Sequence, residues 1–198
     1  MNAADLRRVL STGIAIVGLI ASTSLAAHNL LQNPGFATVL DPWQPFNGFG
    51  QTTVLSNFDA NGDPNSGSAF VTIPANSTFR QPPAAQQCVA ITPNTTYVYG
   101  GKAYLPNATT VANGNDVFAS AQFFPAPNCA GNVDVFDFSA HVSTRDTWLG
   151  MLGVITSGAS DVSVQIYPYL DAAVGTTVQL YFDDMFLLPD AIFRGTFN

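Results

Sequence analysis

Carboxylate and amide side chains occupy two places where residue type and spacing could do chemistry. Asp59, Asn61 and Asp63 alternate along a polar segment, and Asp183 and Asp184 are neighbours in a segment of alternating hydrophobicity. Alternating oxygen ligands are typical of calcium loops. An EF-hand loop, however, has its glycine after the third ligand and a distal glutamate, and this segment has neither. A polar turn is therefore the favoured interpretation of the first group.

The Asp183–Asp184 pair presents one carboxylate to each face of a predicted strand. Such a pair would suit metal ligation or hydrogen bonds to loop amides, whereas a general acid needs a partner carboxyl group across a cleft. The two histidines, His28 and His141, are far apart, and no phosphate loop, dinucleotide fingerprint or serine elbow occurs. We therefore predict that the protein is not an enzyme and has no catalytic residues.

Cys88 and Cys129 are the only two cysteines in the chain. In an exported protein a disulfide between them is the default expectation. In the chain-entropy model, closing a loop of this length stabilises the fold by about 4 kcal/mol. Two buried free thiols are the alternative.

Residues 1–27 predict a cleavable signal peptide. Arg7 and Arg8 are followed by an apolar run from Val9 to Ile20 and by the small residues Ser24–Ala27. An uncleaved membrane anchor is the alternative, because the uncharged run continues to the cleavage site. We expect bacterial-type export to the periplasm, the cell surface or the medium.

The composition restricts both partners and secondary structure. The formal net charge is −7. Nucleic acids and anionic membrane surfaces attract basic proteins, so we expect neither as a partner, whereas calcium and neutral ligands remain compatible. Glutamate is absent and lysine occurs once, while Thr, Val, Phe, Tyr, Gly and Pro are abundant. This composition favours strands and turns over helices.

The stretch from Gln86 to Pro106 predicts two strands joined by a turn, and the pair is expected to set the register of the sheet. Within its second strand Tyr97, Tyr99 and Ala103 share one face. Roughly eight to ten short alternating segments, the first of them His28–Phe36, are separated by Gly, Pro and Asn. We predict an all-β fold, an antiparallel two-sheet β-sandwich of jelly-roll type over residues 28–188, followed by a loosely held tail at 189–198.

Several segments resemble the galactose-binding-like jelly rolls of carbohydrate-binding module families four and nine. Asn29–Phe36 is similar to their first strand and turn, Asp59–Ser68 to the turn before the next strand, and Tyr181–Leu187 to the closing strand. The resemblance implies non-catalytic carbohydrate binding. It also implies a structural calcium near the first turn and the closing strand, with Asp183 as a ligand. Ala37 stands where the family pattern has an acidic residue.

The predicted ligand-binding residues are the polar and aromatic side chains that alternation turns away from the core. A sugar binder needs exposed rings for the C–H faces of the sugar and amides or carboxylates for its hydroxyls. The alternative is that these rings only cover the sheet. Trp43 and Trp148 are expected to be structural. The predicted set is Lys102, Tyr104, Gln122, Phe124, Gln165, Tyr167 and Tyr169.

Two functions of different class follow from these observations. The favoured one is an exported module that binds a carbohydrate or a glycan surface without catalysis, with calcium as the one cofactor to consider. The other is a structural or adhesive surface or matrix protein with no small-molecule ligand.

Overall fold

The computed structural model describes residues 28–46, 50–77, 83–107, 117–171 and 175–190. These residues form two antiparallel five-stranded sheets and one short 3₁₀ turn, Pro127–Cys129. Numbered along the chain, the strands are β1 (Gln44–Pro45), β2 (Thr52–Ser56), β3 (Ser68–Ile73), β4 (Ala85–Ala90), β5 (Thr96–Tyr104), β6 (Val117–Phe124), β7 (Val135–Phe138), β8 (Trp148–Thr156), β9 (Ser163–Leu170) and β10 (Val178–Pro189).

The first sheet has the strand order β1-β4-β9-β6-β7, and the second has the order β2-β3-β10-β5-β8. The predicted all-β sandwich is therefore confirmed. The predicted signal peptide lies outside the described residues, which include no helix of the length and hydrophobicity needed to span a bilayer. Strand β10 runs to Pro189, one residue past the predicted domain boundary.

Alternation along each strand fills the space between the sheets. Tyr97 and Tyr99 of β5 are 1% and 0% exposed, as predicted. Ala119, Ala121 and Phe123 of β6 meet them from the other sheet, and the Tyr97 and Phe123 rings lie 6.0 Å apart. Because the inward side chains are apolar, burying them supplies the main favourable free energy of folding.

The predicted pairing of the two strands around residues 92–95 is wrong. β4 pairs with β1 and β9 in the first sheet, whereas β5 pairs with β10 and β8 in the second. The intervening residues cross between the layers, and the Thr92 N–H donates to the Tyr97 hydroxyl at 2.8 Å. Side-chain alternation specifies which face of a strand is buried, but not which strand becomes its neighbour.

The segment His28–Phe36 forms bends and turns instead of the predicted short strand. The Asn29 side chain donates from Nδ2 to the Met185 carbonyl and accepts at Oδ1 from the Leu187 N–H. The Asn29 side chain therefore satisfies one carbonyl and one N–H group of β10. Phe36, at φ 47°, is fully buried and packs against Trp43 with ring centroids 5.4 Å apart.

The predicted disulfide is confirmed. Cys88 in β4 and Cys129 at the end of the 3₁₀ turn are bonded, with their Cα atoms 6.0 Å apart. The Cys129 N–H also donates to Ser163 Oγ at 3.0 Å, at the start of β9. The disulfide therefore ties the β6–β7 connection to the first sheet.

Candidate functional site

The outward side of the first sheet presents a continuous group of aromatic and amide side chains. We call it the amide–aromatic face and define it by Phe118, Gln122, Phe136, Phe138, Gln165, Tyr167 and Tyr169. Strand pairing aligns these residues in rows across the sheet, because Gln122 lies opposite both Phe136 and Gln165, and Phe118 lies opposite Tyr169.

The rings of this face contact one another in a chain. Phe118 is central: Tyr169 stacks on it at 5.5 Å, His141 stacks on it at 4.5 Å, and Phe138 meets it edge-on at 5.2 Å. Phe136 is 61% exposed and Phe138 is 45% exposed. The buried rings therefore support exposed ones, which gives the face rigid apolar surface that a ligand can reach.

The polar part of the face is made of phenols and amides. The Tyr167 hydroxyl donates to Gln165 Oε1 and lies 3.3 Å from Gln122 Oε1. Burial, assisted by the neighbouring Tyr169, raises the pKa of Tyr167 to about 12, and burial also raises the pKa of Tyr169. Both tyrosines are therefore neutral hydrogen-bonding groups at physiological pH.

A cleft of about 520 Å³ adjoins the face on its β4 side. Five glutamines line it, Gln32, Gln44, Gln86, Gln87 and Gln165, together with the disulfide. Gln165 belongs to both the cleft and the face, so the two surfaces are continuous. A hydrophobic surface bordered by convergent amides is a common form of small-molecule site.

The structure brings together four of the predicted ligand-binding residues: Gln122, Gln165, Tyr167 and Tyr169 all lie on the amide–aromatic face. Phe124 lies on the same strand face but is only 5% exposed, at the end of β6. Its ring is therefore covered and does not offer the stacking surface that alternation alone suggested.

Lys102 lies on the outward side of the second sheet, away from this face, because β5 belongs to that sheet. Its ammonium Nζ is 2.9 Å from Asp184 Oδ2 and donates to Asn61 Oδ1 at 2.6 Å. The Asn61 amide in turn donates to Asp184 Oδ2 at 2.8 Å. Lys102 thus holds the loop after β2 against β10 and is not grouped with the other predicted residues.

Tyr104 also lies on the second sheet, within an aromatic cluster closed by the chain itself. The Phe58 ring is 4.9 Å from Tyr104, 5.3 Å from Trp148 and 5.0 Å from Tyr181. Phe58 therefore packs edge-on against Tyr104, which is partly buried in this cluster. Of the two tryptophans expected to be structural, Trp43 is buried in the core, and Trp148 is half-buried in this outer cluster.

Sequence reasoning missed Phe136, Phe138, Phe118 and His141. A signal was present for the first two, since Phe136 and Phe138 alternate with Val135 and Asp137 over a short segment. Asp137 points inward, where it accepts a hydrogen bond from the Tyr99 hydroxyl at 3.1 Å. Without that partner the polar residue would be expected to face solvent, which would place the phenylalanines in the core.

The carboxylate of Asp183, the residue expected to bind calcium, accepts hydrogen bonds from backbone N–H groups. Asp183 is fully buried, and its Oδ2 and Oδ1 accept the N–H groups of Ala60 and Asp184 at 2.8 Å and 2.7 Å. Lys102 supplies positive charge to Asp184. Within the described residues no group of three or more His, Cys, Asp or Glu side chains is placed to hold a metal. The structural calcium expected near Asp183 stays a prediction.

Asp183 is expected to make stability depend on pH. Burial, and then the charges of Asp184 and Asp59, raise the pKa of Asp183 from 3.8 to about 7 despite its two N–H donors. Between about pH 4 and pH 7 the folded protein therefore binds the proton more tightly than the unfolded chain. Over this interval the unfolding free energy should fall by on the order of 2 kcal/mol as the pH rises.

Thermal melts from pH 4 to pH 8 check this expectation. The melting temperature of the wild type should fall towards pH 7 and then level off. Asp183→Asn should show a flatter profile, because the amide is neutral throughout. A wild-type melting temperature that rises over this interval would contradict the raised pKa of Asp183.

The fold places the chain among solved structures that share its architecture. It is similar to a family 16 carbohydrate-binding module, with 18% identity and a TM-score of 0.53 over 80% of this chain and 99% of that one. It is also similar to the C-terminal family 22 module of Clostridium thermocellum Xyn10B, with 15% identity and a TM-score of 0.56 over 80% and 92% of the two chains.

A third similarity is to the enzymatically active domain of tailspike protein 4 of bacteriophage CBA120, with 15% identity and a TM-score of 0.60. It covers 81% of this chain and 21% of that one. The chain thus spans about a fifth of the length of that protein. No protein-family model and no curated protein matches the sequence. The chain has the β-sandwich fold seen in carbohydrate-binding modules, while the narrower resemblance to families four and nine stays a prediction.

Proposed function

We propose that the protein is an exported, non-catalytic module that binds an uncharged glycan on the amide–aromatic face. The observation that carries the proposal is the supported row of exposed rings, Phe136 and Phe138, next to the Tyr167, Gln122 and Gln165 hydrogen-bonding group. Sugar rings present C–H faces that pack on aromatic rings and hydroxyls that bond to amides. None of the side chains that define the face carries a formal charge at neutral pH.

The comparisons support binding in preference to catalysis. The similar family 16 module is matched over 99% of its length, whereas an enzyme chain that contains a family 22 module and a xylanase module is matched over 30% of its length. The amide–aromatic face itself has no carboxylate to act as general acid or nucleophile. The Cys88–Cys129 disulfide supports delivery to an oxidising compartment.

Calorimetry with neutral oligosaccharides tests the proposal. Similar structures are described in complex with xylohexaose and with β-1,4-galactotriose, which are suitable first probes beside a wider glycan array. Replacing Tyr167 or Phe136 by alanine should weaken binding about tenfold or more, because each change removes a ring from the face.

Leu152→Ala is the matched control. Leu152 is 56% exposed, similar to Phe136, but lies on the second sheet, so its loss should leave affinity unchanged. Equal losses for Leu152→Ala and Phe136→Ala, or silence of the wild type across a broad array, would refute the assignment of this face.

One observation favours an adhesive role as the second candidate. Val154 is 57% exposed and, with Leu152, forms an apolar strip on the outward side of the second sheet, where Val98 and Leu188 pair beside it. An apolar strip of this kind suits contact with another macromolecule. Loss of cell-surface or matrix association in Leu152→Ser/Val154→Ser, with glycan affinity retained, would support this role.

A further inference from the structure

A lysine, an asparagine and an aspartate contact one another on the outward side of the second sheet. Lys102 Nζ lies 2.6 Å from Asn61 Oδ1 and 2.9 Å from Asp184 Oδ2. Asn61 Nδ2 lies 2.8 Å from the same Asp184 oxygen. The three residues come from the loop after β2, from β5 and from β10. An amine, a carboxamide and a carboxylate from three separate segments thus meet at one point.

Hydrogen bonds to the backbone hold Asn61 in this position. Asp59 Oδ1 accepts the N–H groups of Asn61 and Asp63, each at 2.7 Å. Asp183 Oδ2 accepts the N–H group of Ala60 at 2.8 Å. The backbone is therefore fixed on both sides of the asparagine, and its carboxamide is presented to the lysine amine.

The lysine nitrogen is close to the carbon atom of the carboxamide. Because a C=O bond is about 1.2 Å long, the contact with Asn61 Oδ1 places Lys102 Nζ about 3–4 Å from Asn61 Cγ. Reacting atoms held for a near attack are about 3–3.5 Å apart. The Lys102 side chain is 36% exposed, so protein covers most of it. The amine and the carboxamide are therefore placed for reaction with each other.

We propose that Lys102 and Asn61 form an intramolecular isopeptide bond, with Asp184 as the proton relay. The unprotonated amine adds through its lone pair to Asn61 Cγ, and the bond between Cγ and Nδ2 breaks. One oxygen of Asp184 contacts both nitrogens, so it takes a proton from Nζ and delivers one to Nδ2, which leaves as ammonia. The products are a secondary amide and ammonia, and no oxidant, reductant or co-reactant is consumed.

The bond joins the β2–β3 loop covalently to the interior of the second sheet. β5 lies between β10 and β8, whereas β2 is at the edge of this sheet. The sequence separation of Asn61 and Lys102 equals that of the disulfide, so the chain-entropy model gives a similar stabilisation. The disulfide fastens the first sheet and the isopeptide bond fastens the second.

Intact-mass spectrometry of the purified protein tests the proposal, both directly and after incubation at alkaline pH, where more amine is unprotonated. The bonded chain is lighter than the disulfide-bonded sequence by the mass of one ammonia molecule. The full sequence mass in both samples would overturn the proposal. A gain in mass would also overturn it, since that indicates hydrolysis of an asparagine amide to a carboxylate.

Tryptic digestion after reduction locates the bond. Lys102 is the only lysine, so the bonded protein should release the segment ending at Arg80 joined to the segment ending at Arg145, uncut at residue 102. An amine-reactive label should then attach to the N-terminus alone. Separate segments cut after Lys102 would refute the bond.

Variants assign the roles of the side chains. Lys102→Arg keeps the positive charge but cannot form this amide, and Asp184→Ala lacks the relay, so both should have the full mass. Asn65→Ala, in the same loop but outside the triad, should still lose ammonia. The melting temperature of the bonded wild type should exceed that of Lys102→Arg by about 5–10 °C. Ammonia loss that persists in Lys102→Arg would assign it to another asparagine and refute the proposal.

Discussion

Replacing Cys88 and Cys129 together by serine is expected to lower the unfolding free energy by about 4 kcal/mol, which corresponds to a fall in melting temperature of about 10 °C. The bond closes a loop with a sequence separation of 41 and joins β4 to the 3₁₀ turn. Without it, the unfolded chain gains conformational freedom that the folded state does not share. Urea denaturation followed by circular dichroism measures the difference.

Reduced wild-type protein is the matched control for the serine variant. Dithiothreitol breaks the same bond without changing a residue, so both samples should unfold at similar urea concentrations. The cleft beside β4 is partly lined by the two cysteines, so binding of a glycan that reaches into it should weaken as well. Equal stability of oxidised and reduced wild-type protein would contradict the expectation.

Trp43→Ala is expected to cost about 3–5 kcal/mol of unfolding free energy. Trp43 is 2% exposed, and its indole Nε1–H is shared between the Gln32 and Asn33 carbonyls, each at 3.1 Å. The substitution leaves a cavity beside Phe36 and removes the donor from both carbonyls. Chemical denaturation followed by circular dichroism gives the change in unfolding free energy.

Trp148→Ala serves as the comparison for this substitution. Trp148 is half-buried in the outer cluster with Phe58 and Tyr104, and its removal leaves a surface depression that water can fill. Its cost should be about 1–2 kcal/mol. If the two alanine variants were equally destabilised, the core position assigned to Trp43 would be wrong.

Local pattern was sufficient to predict the positions of β2 to β10, but it wrongly predicted a strand at His28–Phe36 and missed β1. Tyr97, Tyr99 and Ala103 face the core because side chains alternate along a strand, a property that depends only on near neighbours in sequence. The disulfide could be predicted for a similar reason, because the chain has only two cysteines and the expected compartment is oxidising.

Pairing between strands could not be predicted in the same way. The residues between β4 and β5 have the composition of a hairpin turn, yet they carry the chain from one sheet to the other. Whether the chain turns back within one sheet or crosses to the other depends on which distant strand pairs with β4 and with β5. β4 ends at Ala90 and its neighbour β9 begins only at Ser163. Contacts of that range leave no local periodicity.

In the candidate site, too, the outward direction of side chains was predictable from local pattern, whereas the neighbouring strands were not. Gln122, Gln165, Tyr167 and Tyr169 lie on one face, as predicted, because β6 and β9 alternate cleanly and are neighbours in one sheet. Lys102 and Tyr104 were grouped with them wrongly, since their outward direction was right but their sheet was not known. Phe136 and Phe138 were overlooked because the inward Asp137 takes its partner, Tyr99, from the opposite sheet.

The neutrality of the amide–aromatic face has a practical consequence for affinity chromatography. Retention through stacked rings and amides involves no counterion release, so a gradient to 1 M sodium chloride should leave the protein on an immobilised neutral polysaccharide. Free soluble oligosaccharide should elute it instead. Elution by salt alone would indicate that contacts elsewhere on this acidic protein hold it to the resin.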